Sequence, residues 1–421
     1  MKTRFFNARI LPLDGKTPLF AGELVVDGSK IASMGTQGEP AGSFDREIDC
    51  RGNLLIPGFK NAHTHSGMTF LRSLADDLPL QRWLTEQVFP KEAQLTPDDV
   101  YVLTKLAIME YLTSGITTMF DMYFARDSIA QAAIDTGFRA CLVGCANDYG
   151  GTAEETVSEY ELFSSLHPRI AYQLGFHAEY TTSYPLLKSL ADMVQSLKRP
   201  FYTHLSETTT EVASCVQHSG MRPIEYLDSL GLFDFGGGGY HCVHVSEHEM
   251  EILKERNMIV VTCPGSNTKL ASGVAPVAEY LSRGIPVAIG TDGPASNNCL
   301  DFFREMFLVT GLQKLHHGAE AVDALEVLNM ACRNGAYACG FLDCDCLAVG
   351  KQADLVMIDL AQPNMQPLNN IEKNIVYSGS KQNVALTMVA GSVLYERGEF
   401  HIGDEPERIY AEANRIIQRM K

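Results

Sequence analysis

Nowhere in the 421 residues is there an apolar run near the roughly 18 residues that a membrane-spanning helix needs. No membrane partner is therefore expected. Positive charge is also short: 34 Lys and Arg stand against 51 Asp and Glu, a net charge of −17. Nucleic acids and anionic membranes call for a basic patch, so neither is expected as a partner. The 11 cysteines contain no C-x-x-C pair. The opening segment "MKTRFFNARILPLDG" lacks an uninterrupted apolar core of signal-peptide length. An odd cysteine count without such a segment points to reduced thiols and a cytoplasmic location. Cys344 and Cys346, a C-x-C in a loop-like stretch, read as ordinary thiols.

What remains is an ordinary globular composition, 45% hydrophobic and 20% charged. "GELVVDGSKIASMG" is two short apolar runs around Asp27-Gly28, a hairpin signal. The same texture returns in "ADLVMIDL" and "NVALTMVAGSVLYERGEF". A small β domain, a β-sandwich built from residues 1–56 and 349–402, is therefore expected, with residues 57–348 inserted into it. In the tail, Ile409, Ala413, Ile416, Ile417 and Met420 fall at helical spacing, so 403–421 reads as a final amphipathic helix packed on the body.

The insert alternates strand and helix. Eight short apolar runs end near His65, Asp121, Cys145, His177, His204, His241–His244, Cys263 and Asp292. "TPDDVYVLTKLAIMEYLTSG" is the clearest helix. Thr96 can cap it, Pro97 suits its first position, Asp98 and Asp99 favour its positive end, and Gly115 can stop it. Val100, Leu103, Leu106 and Ala107 share one face. Eight β-α units imply an α/β fold of the closed TIM-type, a (β/α)8 barrel, with a doubly wound open sheet as the alternative.

In such a barrel the chemistry lies at the C-terminal strand ends. In "NAHTHSGM", His63 and His65 lie two residues apart and would share one face of a strand. With His204 and Asp292 they make a three-histidine, one-carboxylate set that leaves a coordination position open, as catalytic zinc sites do. Zinc and iron(II) both suit these ligands. A metal lowers the pKa of bound water to about 7. A free oxygen of Asp292 could then take the water proton, and His241 could hold the same water. Glu207, three residues past His204, reads as a proton shuttle to a ring nitrogen.

"PGFKNAHTHSGM", "THLSET", "HCVH", "PGSNTKL" and "GTDGPASNN", in this order, resemble the amidohydrolase superfamily. More narrowly, they resemble its S-adenosylhomocysteine/5'-methylthioadenosine/adenosine deaminases, over nearly the whole chain. The resemblance implies one divalent metal ion, zinc before iron(II), held by His63, His65, His204 and Asp292. It implies His241 beside the attacking water and Glu207 at N1 of a purine. It puts His177 at N3, Ser296 at N7, Trp83 on the pocket wall and Glu92 at the ribose 2'- and 3'-hydroxyls. Barrels of this type often pair, so a homo-oligomer is compatible with it.

Two positions depart from the pattern. Members acting on S-adenosylhomocysteine carry arginines after the third barrel strand. Here Gly144 stands at the first such position, and no Arg or Lys occurs between Arg139 and Arg169. A buried carboxylate without a cation is costly, so adenosine, 5'-methylthioadenosine or 5'-deoxyadenosine is the expected substrate. Thr262 stands where the family often has a histidine. The fourth strand offers no lysine to bridge two metals, which argues against a binuclear centre. Deamination of guanine or another aminated heterocycle, triazine-type chlorohydrolysis, and a non-catalytic scaffold are the alternatives.

Overall fold

The hairpin expected around Asp27-Gly28 is present in the computed structural model, which describes all residues except 37, 39–41, 75, 79–81 and 421. The N-terminal strands are β1 (Lys2–Ile10), β2 (Phe20–Asp27), β3 (Lys30–Gly35), β4 (Arg46–Asp49) and β5 (Leu54–Pro57). The next eight are β6 (Phe59–Thr64), β7 (Ile116–Asp121), β8 (Arg139–Val143), β9 (Ile170–Ala178), β10 (Phe201–Leu205), β11 (Gly237–His241), β12 (Met258–Thr262) and β13 (Val287–Ile289). The C-terminal strands are β14 (Leu355–Ile358), β15 (Val384–Val389), β16 (Ser392–Glu396) and β17 (Glu399–Phe400).

Strands β6 to β13 form one eight-stranded parallel sheet in sequence order, with helices between them, as a (β/α)8 barrel requires. The helix at Pro97–Thr113 starts as its sequence dictates. Thr96 Oγ1 accepts from the Asp99 amide, and the Asp99 carboxylate returns to the Thr96 amide at 2.7 Å. Its Val100, Leu103 and Ala107 are buried and Leu106 is half-buried. Inside the barrel Ala62, Phe120, Cys141, Tyr202, Tyr240, Ile259, Val261 and Ala288 pack together. Ala338, Cys339, Phe341 and Cys344 join the same cluster, and Phe341 lies under the guanidinium of Arg139 at the N-terminal end of β8. No helix among the described residues is long and apolar enough to cross a membrane.

The seam between β6 and β13 is closed by side chains as well as backbone. The Asp292 amide donates to His63 O at 3.0 Å. The Asn61 amide group donates to Thr291 Oγ1 at 2.7 Å, and its carbonyl accepts from the Thr291 amide at 2.8 Å. A Cβ on Gly290 would lie 2.8 Å from the Cβ of His63, so this approach requires glycine.

The terminal strands make a nine-stranded mixed sheet fed from both chain ends. Strands β5 and β14 pair antiparallel at its centre and are buried on both sides. Leu55, Leu355 and Met357 face the small core with Phe5, Leu24 and Leu386. Leu54, Ile56, Val356 and Ile358 face the barrel's core. This explains the unbroken apolar runs "LLIP" and "LVMI", since a strand covered on both faces has no polar side. The last helix, Pro406–Arg419, buries Ile409, Ala413 and Ile416 and half-buries Ile417 and Met420.

The two bodies are joined by a buried ion pair. Arg139 at the start of β8 donates Nε and Nη2 to Asp354 at 2.8 and 2.9 Å, and both residues are almost wholly buried. Asp354 Oδ1 also accepts the Ala390 amide at 2.8 Å. Removing one partner leaves the other charge buried and alone. Asp354→Ala should therefore lower stability by about 3–5 kcal/mol in urea unfolding, and a loss below about 1 kcal/mol would show that the pair is dispensable.

Candidate active site

The four residues read as metal ligands meet at the C-terminal mouth of the barrel. His63 is supplied by β6, and His65 lies one residue beyond its end. His204 lies on β10, and Asp292 follows β13. The imidazole centroids of His63 and His65, and of His63 and His204, are 4.8 Å apart. Asp292 Oδ1 lies 3.7 Å from His63 Nε2 and 3.3 Å from His65 Nε2. Strict strand alternation is not what aims the first pair. Ala62 already faces the barrel interior, yet the adjacent His63 stacks on Tyr240 at 3.8 Å. The pairing of β6 with β7 slips between Asn61 and Thr64, and this bulge lets consecutive residues share the interior.

Each imidazole is oriented by its second nitrogen. His65 Nδ1–H donates to Met122 O, and His204 Nδ1–H to His177 O at 2.7 Å. Both rings therefore turn Nε2 toward the shared space, as metal-ligating histidines do. Both ring nitrogens of His63 are buried without a hydrogen-bond partner among the described residues. Unpartnered buried donors and acceptors are rare, and here a cation would satisfy Nε2, the nitrogen on the Asp292 side. The donor set of imidazoles and one carboxylate thus fits a divalent metal. Against the penalty of burial, the hydrogen bond and charge of Asp292 push His65 up to about 9. Asp292 is held well below the usual carboxylate range despite its burial, by His65 first.

The backbone is strained where it delivers these groups. Ser206, His241, Cys242 and Asp292 have φ values of 49°, 68°, 46° and 60°. Left-handed non-glycine residues cost about 1–3 kcal/mol each and persist only when their surroundings hold them. The Cys242 amide donates to Leu205 O at 3.0 Å, and the His244 amide to Ser206 O at 2.9 Å. The amides of Ser206 and Glu207 each donate to Glu211 at 2.7 Å.

His241 is close enough to join the cluster, since His63, His204 and His241 also offer nitrogens within 4.8 Å of one another. Its Nδ1 bonds to Asn267 Oδ1 at 2.8 Å, and its Nε2 lies 3.9 Å from Glu207 Oε2. Glu207 is buried and accepts from Ser272 Oγ at 3.1 Å. Burial pushes its carboxyl above the usual range, with His241 opposing. His177 bonds through Nδ1 to Thr181 Oγ1 at 2.9 Å, and its ring lies 4.9 Å from His204. Glu92 Oε1 is buried without a partner, and burial pushes that carboxyl up to about 7, with Tyr123 opposing. The Tyr123 ring lies 6.5 Å from that of His65, which ties Glu92 to the site. Trp83 is buried in the main apolar core and forms no ring pair with the imidazoles among the described residues.

Asp292 has no oxygen free of hydrogen bonds. Its Oδ2 accepts from Ser266 Oγ at 2.6 Å and Ser296 Oγ at 2.8 Å, and its Oδ1 accepts from the Gly293 amide at 2.7 Å. A carboxylate oxygen has two lone pairs, so Oδ2 is saturated. The Ser296 hydroxyl has an alternative acceptor, Gly293 O at 3.2 Å, and turning to it frees one lone pair.

Several residues were not singled out from sequence. Glu211 carried a signal, the Thr208-x-x-Glu211 capping box. Ser266 and Asn267 lie in "PGSNTKL", a stretch quoted above without individual roles. Met122 contributes only a carbonyl, which no side-chain pattern announces.

Residues 54–394 match the Amidohydrolase family. A 5-methylthioadenosine/S-adenosylhomocysteine deaminase of Pelotomaculum thermopropionicum is 37% identical over 98% of each chain. A 5'-deoxyadenosine deaminase of Methanothermobacter thermautotrophicus is 39% identical over 91% of each chain. A zinc-bound adenosine deaminase structure from Xanthomonas campestris is 32% identical, with a TM-score of 0.92 over 100% of this chain and 98% of that one. Joined to a barrel whose strand ends gather three imidazoles and an aspartate, these full-length likenesses show that the chain belongs to the amidohydrolase family.

Proposed function

We propose that this protein is a metal-dependent aminohydrolase that converts a 6-aminopurine nucleoside and water into the 6-oxo product and ammonia. The observation that carries the reading is the convergence of His63, His65, His204 and Asp292 beside the buried pair His241 and Glu207. The deaminase names of relatives at 37–39% identity support the reaction class. The family is metal-dependent, and the Xanthomonas campestris relative binds zinc. One ion, zinc before iron(II), is the expected complement of the four ligands. It would supply a water whose pKa is lowered to about 7.

The chain's own groups handle the protons and the purine. Glu207 donates a proton to N1, which makes C6 electrophilic. His241 holds the water against C6, with its ring locked by Asn267. Asp292 takes the water's proton once the Ser296 hydroxyl turns from Oδ2 to N7 of the purine, and passes it to the leaving amine. The C6–O bond forms, the C6–N bond breaks, ammonia leaves, and the remaining C6 hydroxyl proton returns Glu207 to its acid form as the 6-oxo group forms. His177 is assigned to N3, Ser296 to N7, Trp83 to the pocket wall and Glu92 to the ribose hydroxyls. The unpartnered Glu92 Oε1 supports a polyhydroxylated ligand group, and so a nucleoside over a free base such as guanine. The working unit is taken as the barrel of 57–348 on its 1–56 and 349–402 β domain, closed by the 403–421 helix.

The name of the Pelotomaculum relative covers both 5-methylthioadenosine and S-adenosylhomocysteine. The first is favoured here. A Cβ on Gly144 would lie 2.5 Å from Gly175 O, so this backbone admits no arginine there. The neighbouring Arg126 is already paired with Glu159 and donates to Cys145 Sγ. Between Arg139 and Arg169 no Arg or Lys stands ready for an amino-acid carboxylate, and burying that group unpaired costs several kcal/mol. In an ammonia-release assay kcat/KM for S-adenosylhomocysteine should therefore be on the order of 100-fold below that for 5'-methylthioadenosine, 5'-deoxyadenosine or adenosine. Preference for S-adenosylhomocysteine would overturn this choice.

Glu207→Gln should lower kcat by about 10²–10⁴-fold with metal content unchanged. Full turnover by that variant removes Glu207 from the mechanism. His204→Ala should lose about one equivalent of metal per chain by elemental analysis, and unchanged content would remove His204 from the ligand set.

A further inference from the structure

Two residues past His177 the chain makes a short 3-10 turn, Glu179–Thr181, whose first residue has no part in the proposed reaction. Glu179 is 3% exposed, and its Oε2 is buried with no hydrogen-bond partner among the described residues. An unsatisfied buried carboxylate oxygen is costly, so it points to a missing ligand. Facing it, the helix Thr209–Ser219 carries Cys215 and His218 at i and i+3, on one side of the helix. Cys215 is buried, and the His218 side chain is half-exposed.

The tautomer of His218 sharpens the case. Its Nδ1–H donates to Ser214 O at 2.8 Å. The neutral ring therefore turns a lone pair at Nε2 toward Glu179 Oε1, only 2.8 Å away. Two lone pairs at that distance repel unless a proton or a metal cation lies between them. The Cys215 sulfur completes the group, and the three ligand atoms lie within 4.8 Å of one another. Tyr226 packs edge-on to the His218 ring at 5.9 Å.

We propose that Glu179, Cys215 and His218 form a second, peripheral metal site for a divalent ion of the zinc class, with a fourth position open to water. Carboxylate, imidazole and thiolate together suit zinc and exclude the all-oxygen preference of magnesium and calcium. Tetrahedral zinc holds such ligand atoms about 3.3–3.6 Å apart, a spacing the half-exposed His218 ring can reach by a small outward swing. Burial and the nearby Glu179 push the Cys215 thiol up to about 12, so the ion must displace that proton to solvent on binding. The same turn carries Thr181, the partner of His177 Nδ1, and Tyr180, whose ring lies 6.0 Å from His177. An ion at Glu179 would therefore pin the segment that orients His177.

The test uses the full-length protein, stripped by chelator and titrated with cobalt(II). The cluster at the barrel mouth offers only imidazole and carboxylate among its candidate ligands, so a thiolate-to-cobalt charge-transfer band in the near ultraviolet reports the peripheral site alone. The band should appear in the wild type and vanish in Cys215→Ser and His218→Ala. Zinc content should fall from about two to about one equivalent per chain in His218→Ala. No band in the wild type, or a band that survives in Cys215→Ser, overturns the proposal and leaves an imidazolium–carboxylate pair. Should Cys215→Ser fail to fold, the half-exposed His218→Ala decides the matter by both readouts. Deaminase turnover is no part of the measurement, so failure here is distinguishable from failure of the proposed function.

Discussion

Closure between the first and last barrel strands is the constraint on which the site depends. His63 and Asp292 lie far apart in sequence and come together because the Asp292 amide reaches His63 O and Asn61 brackets Thr291. A side chain at Gly290 would push this seam apart. In an open sheet β6 and β13 would be opposite edges, and the aspartate would lie a full sheet width from the imidazoles. The parallel order of the eight strands brings His204 and His241 to the same rim, since each ends its strand in the same sense.

Gathering these groups in a buried space has an electrostatic consequence. Four imidazoles and two carboxylates share a volume where water is scarce. Desolvation depresses His63 and His204 well below the ordinary histidine range and raises Glu207, so neutral forms are favoured except where a partner intervenes. Asp292 is that partner, and it is the most heavily hydrogen-bonded group of the cluster. The backbone bonds to His65 and His204, together with Glu211 under Ser206 and Glu207, hold the constellation against the strain of its left-handed residues. This preorganisation suits chemistry in which a neutral acid and a charged base act within a few ångströms of each other.

The loop after β9 links the barrel mouth to the surface. His177 faces the imidazole cluster, while Glu179, two residues on, faces the helix of Cys215 and His218. A short 3-10 turn connects the two, so whatever satisfies Glu179 also bears on the orientation of His177.

Much of this was legible along the chain because it is local chemistry. Apolar runs closed by histidine or aspartate marked the strand ends, and Thr96-Pro97-Asp98-Asp99 marked a helix start, because caps and strand periodicity are set within a few residues. The Thr208-x-x-Glu211 box was equally local, but its second use, as the anchor of Glu207, depends on how the chain turns out of β10. Other features had no local signature. The bulge that lets His63 follow Ala62 into the interior arises from pairing with β7. The saturation of Asp292 Oδ2 requires Ser266 from after β12 and Ser296 from its own loop to arrive together. The close pack of Gly144 against Gly175 exists only because β8 lies beside β9. Residue type and spacing by themselves determined which groups stand at the ends of strands and what chemistry they could perform. Only the tertiary structure decided which of their atoms remain free, because hydrogen bonds and burial depend on neighbours brought together from distant parts of the chain.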